Sequence, residues 1–467
     1  MSERDIFAEE NNELLRFILE NRFFKVWRDP SSQTDPHSLW KDANVELFIT
    51  SACNLKCEYC YLQRHGDGLY PKEYRDKDNI LKNMRILFDW FLDEGFAIND
   101  LDLFSGEIWH TPFGFEVLDI VIDYIQRGLT FKRVVIPTNC TFLLDNNTMF
   151  KMQDYIDEFD SLGTRLMISC SIDGAVLESE TRSFKDEDKN PVRDNGFYEK
   201  LFAFAKKNNY LFHPMVASAN VDKWIENLKW YTEQIRNYHI DAANPIMMLE
   251  VRNGDWTDES VQRLLEFYDY EIEQKLKACQ NDVKVFSEFL LGKNGDNNGY
   301  VNYALPIAEN QPGCSVSTHL CIRLGDLAIC PCHRTAYDRL LYGKFDITNG
   351  RITGITAINP QMAIRVLGGN NKIDHHGCDT CPYNGLCMRG CYGAQYEYAQ
   401  DAFMPVENVC NMFKTKYNHL IDKYDSMGVI DYWRSMSEYD IYYDYAQRLV
   451  REIDKIQAYR KGGKIYG

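Results

Sequence analysis

The run TSACNLKCEYCY, residues 50–61, carries three cysteines in a CxxxCxxC array, Cys53, Cys57 and Cys60. Three thiolates on one tight loop can hold three corners of a four-iron cubane and leave the fourth iron open. An open iron takes a small-molecule ligand, so the loop is suited to chemistry at the metal. The competing assignments are a zinc knuckle or three core cysteines. Zinc sites prefer paired CxxC units and a fourth ligand, which this run lacks.

A second set of cysteines lies far along the chain: Cys314, Cys321, Cys330, Cys332, Cys378, Cys381, Cys387, Cys391 and Cys410. Cys378 to Cys391 reads CxxCx5CxxxC. Cys321 and Cys330 flank Gly325 in what reads as a hairpin, which would set them roughly opposite one another. Clustered cysteines in a chain whose N-terminus shows no secretory signal suggest metal binding or catalysis in the cytoplasm rather than a disulfide scaffold.

The elements that must position these residues show in the apolar patterning. Short β-branched runs (VELFIT, LDLFS, RVVIPT, LMISCSI, HPMVASA, NPIMMLEV) alternate with amphipathic stretches such as 80–92, 115–124 and 197–207. Strand–helix alternation predicts parallel β/α units. Candidate ligand-binding residues fall at strand ends: Ser105, Gly106 and Glu107, then Thr138 and Asn139, then Ser171 and Asp173. β/α folds place their sites there. The expected organisation is an N-terminal helix and connector over 1–43, a β/α barrel over 44–305, a cysteine-rich domain over 306–415 and C-terminal helices over 416–467. The polar stretches before Gly68 and between Glu180 and Asn195 read as mobile loops.

The cysteine loop resembles the signature of the radical S-adenosylmethionine (SAM) enzymes: the spacing matches, Tyr59 precedes the third cysteine, and a strand leads in. The resemblance implies a partial (β/α)6 TIM-like barrel, an α/β fold. It also implies that the open iron chelates SAM and that an electron cleaves SAM to methionine and a 5′-deoxyadenosyl radical. Ser105-Gly106-Glu107 resembles the family's GGE motif with one glycine changed and Ile108 in place of proline. Thr138-Asn139 resembles TNG, with Cys140 where the glycine stands. Ser171 and Asp173 resemble the SxDG segment near the SAM ribose and carboxylate. Arg182 stands where an arginine often pairs with that carboxylate, though it also fits a solvated loop charge.

The later cysteines resemble the SPASM domain, which carries two auxiliary [4Fe-4S] clusters, for three clusters in all. The resemblance implies that Cys378, Cys381, Cys387 and Cys410 hold the outer one. Cys391 would cross to the inner one, with Cys314, Cys321 and either Cys330 or Cys332. The sulfatase-maturing members carry an aspartate just after this last cysteine; here Pro331 and His333 follow. His333 suits a base, a donor to cluster sulfur or a structural role. The implied function is maturation of a ribosomally made precursor peptide by a thioether or carbon–carbon cross-link. Cys or Ser oxidation of the sulfatase-maturing type and a non-catalytic iron–sulfur carrier are the alternatives. The implied partners are the peptide and an electron donor such as flavodoxin or ferredoxin.

The balance of 52 basic against 69 acidic residues leaves a net charge of −17. That argues against a nucleic-acid partner, which requires a basic footprint. No apolar run reaches membrane-spanning length.

Overall fold

The computed structural model describes residues 3–28, 39–185, 193, 195–210, 212–240, 246, 248–292, 301–308, 314–368, 375–387 and 389–462. Residues 29–38, expected as a connector, and 186–192 and 194, expected as a mobile loop, lie outside them. The chain forms two compact units. The first gathers 1–171, 183–210 and 313–369; the second gathers 172–182, 211–312 and 370–467.

The first unit is built on one large sheet. After helix α1 (Glu3–Phe23) and strand β1 (Lys25–Arg28) comes β2 (Leu39–Thr50). Helices α2 (Tyr61–Leu69) and α3 (Lys77–Asp93) lead to β3 (Phe96–Ser105). The polar stretch before Gly68, expected as a loop, is thus helix α2, which buries Leu62, Gly66 and Leu69. Then α4 (Gly114–Gln126), β4 (Phe131–Thr138), α5 (Asn146–Ser161) and β5 (Arg165–Cys170) follow. β2, β3, β4 and β5 pair in parallel in that order. Every second residue along them, including Val45, Leu47, Leu101, Leu103, Val134, Ile136, Leu166 and Ile168, is buried. This period of two is the apolar face of a sheet covered by helices. α3 supplies Ile80, Met84, Leu87, Phe88 and Phe91 at helical spacing. Phe88 packs edge-on to Tyr124 of α4 and Phe131 of β4.

On its other side β2 pairs in parallel with β8 (Leu320–Arg323). β9 (Ala328–Cys330), β10 (Gly343–Thr348) and β11 (Arg351–Ala357) continue the sheet antiparallel. The strand carrying Cys321 is therefore a direct neighbour of the strand that feeds the CxxxCxxC loop. The β8–β9 turn needs its glycine: a Cβ on Gly325 would lie 2.2 Å from the Tyr74 carbonyl oxygen. Arg323, fully buried, ties the turn down through Asp326, Asp338 and the carbonyls of Leu69 and Ala336. Helix Asn195–Asn208 belongs to this unit as well.

The second unit holds the other two strands expected of a six-unit series, β6 (Met215–Val216) and β7 (Leu249–Glu250), as a short parallel pair. Its helices Trp224–Asn237, Asp258–Ala278, Val283–Leu290, Glu407–Ser426, Val429–Arg434 and Tyr443–Arg460 share one apolar core. Trp224, Trp256, Phe286, Tyr417, Tyr424 and Trp433 are buried in that core. Helix Asp258–Ala278 starts with a Thr257/Ser260 capping box, which satisfies two otherwise orphaned N–H groups. The fold is thus a mixed α/β one with a large, mainly parallel sheet. The predicted series of six strands divides four and two. No helix among the described residues is long and apolar enough to cross a membrane.

Candidate active site

The three cysteines of the loop sit between β2 and α2, with Cys57 buried and Cys53 and Cys60 half-buried. Backbone pairing pins the loop on one side: Leu55 bridges Phe184, Lys56 N donates to Ser183 O (2.8 Å) and Lys185 N donates to Asn54 O (2.9 Å). Leu55 N lies 3.4 Å from Cys53 Sγ, a donor suited to a thiolate or cluster sulfur. The end of β3 presses on the other side. Gly106 N donates to Thr50 O (2.9 Å) and Glu107 N to Ala52 O (2.8 Å). A Cβ at position 106 would stand 2.3 Å from Ala52 O, inside van der Waals contact, so the glycine is required by the close approach.

Glu107 is wholly buried. Its carboxylate accepts from Thr138 Oγ1 (2.9 Å to each oxygen), Asn139 N (2.7 Å) and Trp109 N (3.2 Å). The side chain of Asn139 in turn donates to Asn54 Oδ1 (2.8 Å), with Cys53 Sγ at 3.8 Å. Three expected site residues, Glu107, Thr138 and Asn139, are therefore one network that ties the ends of β3 and β4 to the cysteine loop. Ser105 Oγ is buried with no hydrogen-bond partner among the described residues. Cys140, in place of the family's glycine, holds the left-handed backbone (φ 61°) that a glycine would adopt without strain. Tyr59 is half-buried within the loop.

Ser171 donates its N–H to Thr138 O (2.8 Å) and ends the first unit's β5 segment. Asp173 and Arg182 belong to the second unit, where both are buried. Arg182 lies 3.5 Å from Asp173 and 3.6 Å from Glu178, so it is a buried ion-paired group and not a solvated loop charge. Asp173 also accepts from Met215 N (3.0 Å). Asn220, another strand-end polar residue, accepts from Ala217 N and Trp224 Nε1, an internal cap of its own turn.

Cys321 and Cys330 are Cα partners across the β8–β9 ladder, with their sulfurs 3.3 Å apart. Strand β9 ends at Cys330; Cys332 follows as a buried residue at the start of a short 3-10 turn, where Thr335 Oγ1 approaches its Sγ (3.5 Å). Cys314 is exposed. In the second unit Cys378, Cys381, Cys387 and Cys410 line one small cleft of about 40 Å³ with Tyr383, Asn384, Arg389, Phe413 and Lys414. Burial and the neighbouring sulfurs push the Cys378 thiol up to about 12 and that of Cys410 to about 11. Cys391 precedes helix Tyr392–Ala399. Among the described residues no three acidic, His or Cys side chains converge on a single ion. A cubane spreads its cysteines over four metal corners, so this donor set still fits one.

The residue that sequence reasoning missed is Glu46. It lies in the middle of the apolar run VELFIT, and a lone carboxylate in a buried strand is the signal that could have found it. Strand register aligns Asp102, Glu46, Cys321 and Cys330 in one row across β3, β2, β8 and β9. Glu46 Oε1 accepts from His333 N and faces His333 Nδ1, both at 2.9 Å. Burial alone would raise this carboxyl, but His333 beside it, with its hydrogen bonds, holds it at about 2. The imidazole lies flat on Phe104, ring centres 3.6 Å apart, with the Tyr61 ring centre at 5.9 Å. Beside Glu46, burial and the charges of Glu46 and Asp100 raise the Asp102 carboxyl to about 7, against the lowering effect of Arg133. His319 lies 3.7 Å from Asp102.

No protein-family profile matches the chain, and no curated protein does. Among solved structures it is similar to a hexahistidine-tagged anSMEcpe with bound AdoMet at 14% identity and TM-score 0.51, covering 88% of this chain and 98% of that one. It is also similar to native anSMEcpe with bound AdoMet and the Cp18Cys peptide at 14% identity and TM-score 0.50, covering 82% and 99%. At this identity the likeness is one of fold: this chain adopts an α/β architecture similar to that of a protein crystallised with AdoMet.

Proposed function

We propose that the protein is a radical SAM enzyme that modifies a peptide, with a thioether or carbon–carbon cross-link as its product. The observation that carries this reading is the convergence on one loop. The ends of β3 and β4 lock onto the start of the cysteine loop, at Thr50, Ala52, Cys53 and Asn54, through Gly106, Glu107 and Asn139. The fold likeness to a protein crystallised with AdoMet and a peptide supports it.

In this reading Cys53, Cys57 and Cys60 would hold the SAM-binding cluster. Cys378, Cys381, Cys387 and Cys410 would hold the outer auxiliary one. Cys314, Cys321 and either Cys330 or Cys332 would hold the inner one, within a cluster domain spanning 306–415. When bound and reduced, the first cluster supplies the electron for reductive SAM cleavage. The chain's own residues do the rest. Gly106 and Glu107 fix the loop, while Ser105 and Ser171 would offer polar groups to SAM, and Tyr59 would flank it. His333, beside the inner cysteines, is placed to take up the proton that leaves the peptide. A flavodoxin- or ferredoxin-type protein is the proposed electron source.

The second reading, Cys or Ser oxidation of the sulfatase-maturing type, is favoured by the fold match itself. It is disfavoured by His333 standing where those enzymes carry an aspartate. The reconstituted protein, given SAM, a reductant and candidate peptides, is expected to release 5′-deoxyadenosine, and Cys57→Ala is expected not to. Equal release from the variant rejects the assignment. A product whose fragmentation is blocked across a ring supports cross-linking; an aldehyde trapped by a hydrazine supports oxidation. Brown colour absent after anaerobic reconstitution, with stoichiometric zinc, would point to a zinc protein instead.

A further inference from the structure

Glu46 has no role in the family motifs above, yet it is among the most constrained polar groups of the first unit. It is 3% exposed, sits mid-strand in β2, and has Asp102 and Cys321 as its lateral neighbours. A buried carboxylate is costly unless its partners satisfy it. Here one oxygen takes two donors from the same residue, the backbone N–H of His333 and its ring Nδ1, both at 2.9 Å. The ring is held separately by Phe104, stacked on it at an 8° interplanar angle, with Tyr61 beside it at 25°. With its Nδ1 on Glu46 and Phe104 stacked against it, the imidazole has one orientation. An acceptor on Nδ1 selects the tautomer in which Nδ1 carries the proton, leaving the Nε2 lone pair available.

We propose that Glu46 is the positioning residue of the site: it holds the His333 ring so that Nε2 receives the proton released when the substrate radical forms its new bond. The inference rests on the reading of His333 as proton acceptor. For a thioether, a carbon–sulfur bond forms, the S–H bond breaks, the proton goes to Nε2 and one electron passes to an oxidised iron–sulfur centre. The logic is that of a carboxylate orienting a histidine base.

The shared oxygen makes the proposal sharp. In Glu46→Gln the backbone N–H of His333 compels the amide to present its oxygen, so Nδ1–H keeps its acceptor and the tautomer is preserved. Glu46→Ala removes it. Two measurements follow. The first is ¹⁵N NMR of the histidine rings in the metal-free full-length chain, with His333→Gln used to assign the signal. The wild type and Glu46→Gln should show the Nδ1–H tautomer and Glu46→Ala a mixture. The second is cross-linked product per 5′-deoxyadenosine in the reconstituted enzyme. The ratio is expected to fall by about 10²-fold in His333→Gln and in Glu46→Ala, and by less than about 10-fold in Glu46→Gln. An Nε2–H tautomer in the wild type overturns the proposal. So does Glu46→Ala keeping the wild-type ratio while His333→Gln loses it. A normal ratio in His333→Gln instead removes the histidine as acceptor. No 5′-deoxyadenosine from the wild type rejects the proposed function, and the NMR measurement still decides the geometry.

Discussion

Replacing Glu107 by glutamine tests whether the candidate site is held together as described. The substitution keeps shape and volume and removes only the charge and one acceptor. Both carboxylate oxygens are occupied: Oε2 by Asn139 N (2.7 Å) and Thr138 Oγ1, Oε1 by Trp109 N (3.2 Å) and Thr138 Oγ1. The amide places its NH2 against at least one donor, and the longer Trp109 contact yields first. A hydrogen bond to a charged group contributes about 1.5–3 kcal/mol, and an orphaned buried donor costs about 1–3 kcal/mol. The expected destabilisation is about 2–4 kcal/mol. The metal-free chain, unfolded anaerobically in guanidinium, should show a lower midpoint at unchanged slope. Hydrogen exchange should accelerate at Asn139 and at Gly106, the amides nearest the network. An unchanged midpoint together with unchanged protection of Asn139 would refute the claim that Glu107 joins β3 and β4 to the cysteine loop.

Two further outcomes are expected. Gly106→Ala forces a Cβ to within 2.3 Å of Ala52 O, so the loop must shift. On the three-cluster reading proposed above, iron and sulfide analysis after reconstitution should show the loss of about four irons of about twelve, with the auxiliary cysteine sites still loaded; full iron content contradicts the packing. Asp102 titrates near 7 in the folded chain against 3.8 for an ordinary aspartate, because burial comes first and Glu46 and Asp100 add to it. The folded state binds the extra proton between about pH 4 and 7, so stability falls as pH rises through that window and levels off above it. Asp102→Asn should flatten that fall, worth on the order of 2–4 kcal/mol between pH 4 and 8; parallel stability curves for wild type and variant would overturn the assignment.

The sequence by itself determined the parts that depend on local spacing. The CxxxCxxC loop, the alternation of apolar strands with amphipathic stretches, and the facing of Cys321 and Cys330 were all legible. Cysteine intervals, period-two burial and a glycine turn are properties of short segments. The strand-end residues Glu107, Thr138 and Asn139 could be picked out, but their work could not. Glu107 reads in the sequence as a ligand-binding side chain; the structure adds that it is a buried junction between two strands.

Tertiary structure decided what no local pattern encodes. The pairing of β2 with β8 brings residues near 46 and 321 into register, far apart in sequence, and creates the Asp102–Glu46–Cys321–Cys330 row. Glu46 was invisible because a strand pattern gives a residue's face, not its neighbours. His333 gained its partner only when the chain returned to the first strand. Long-range strand register is set by the sum of many buried contacts across the sheet, and no window of sequence contains that sum.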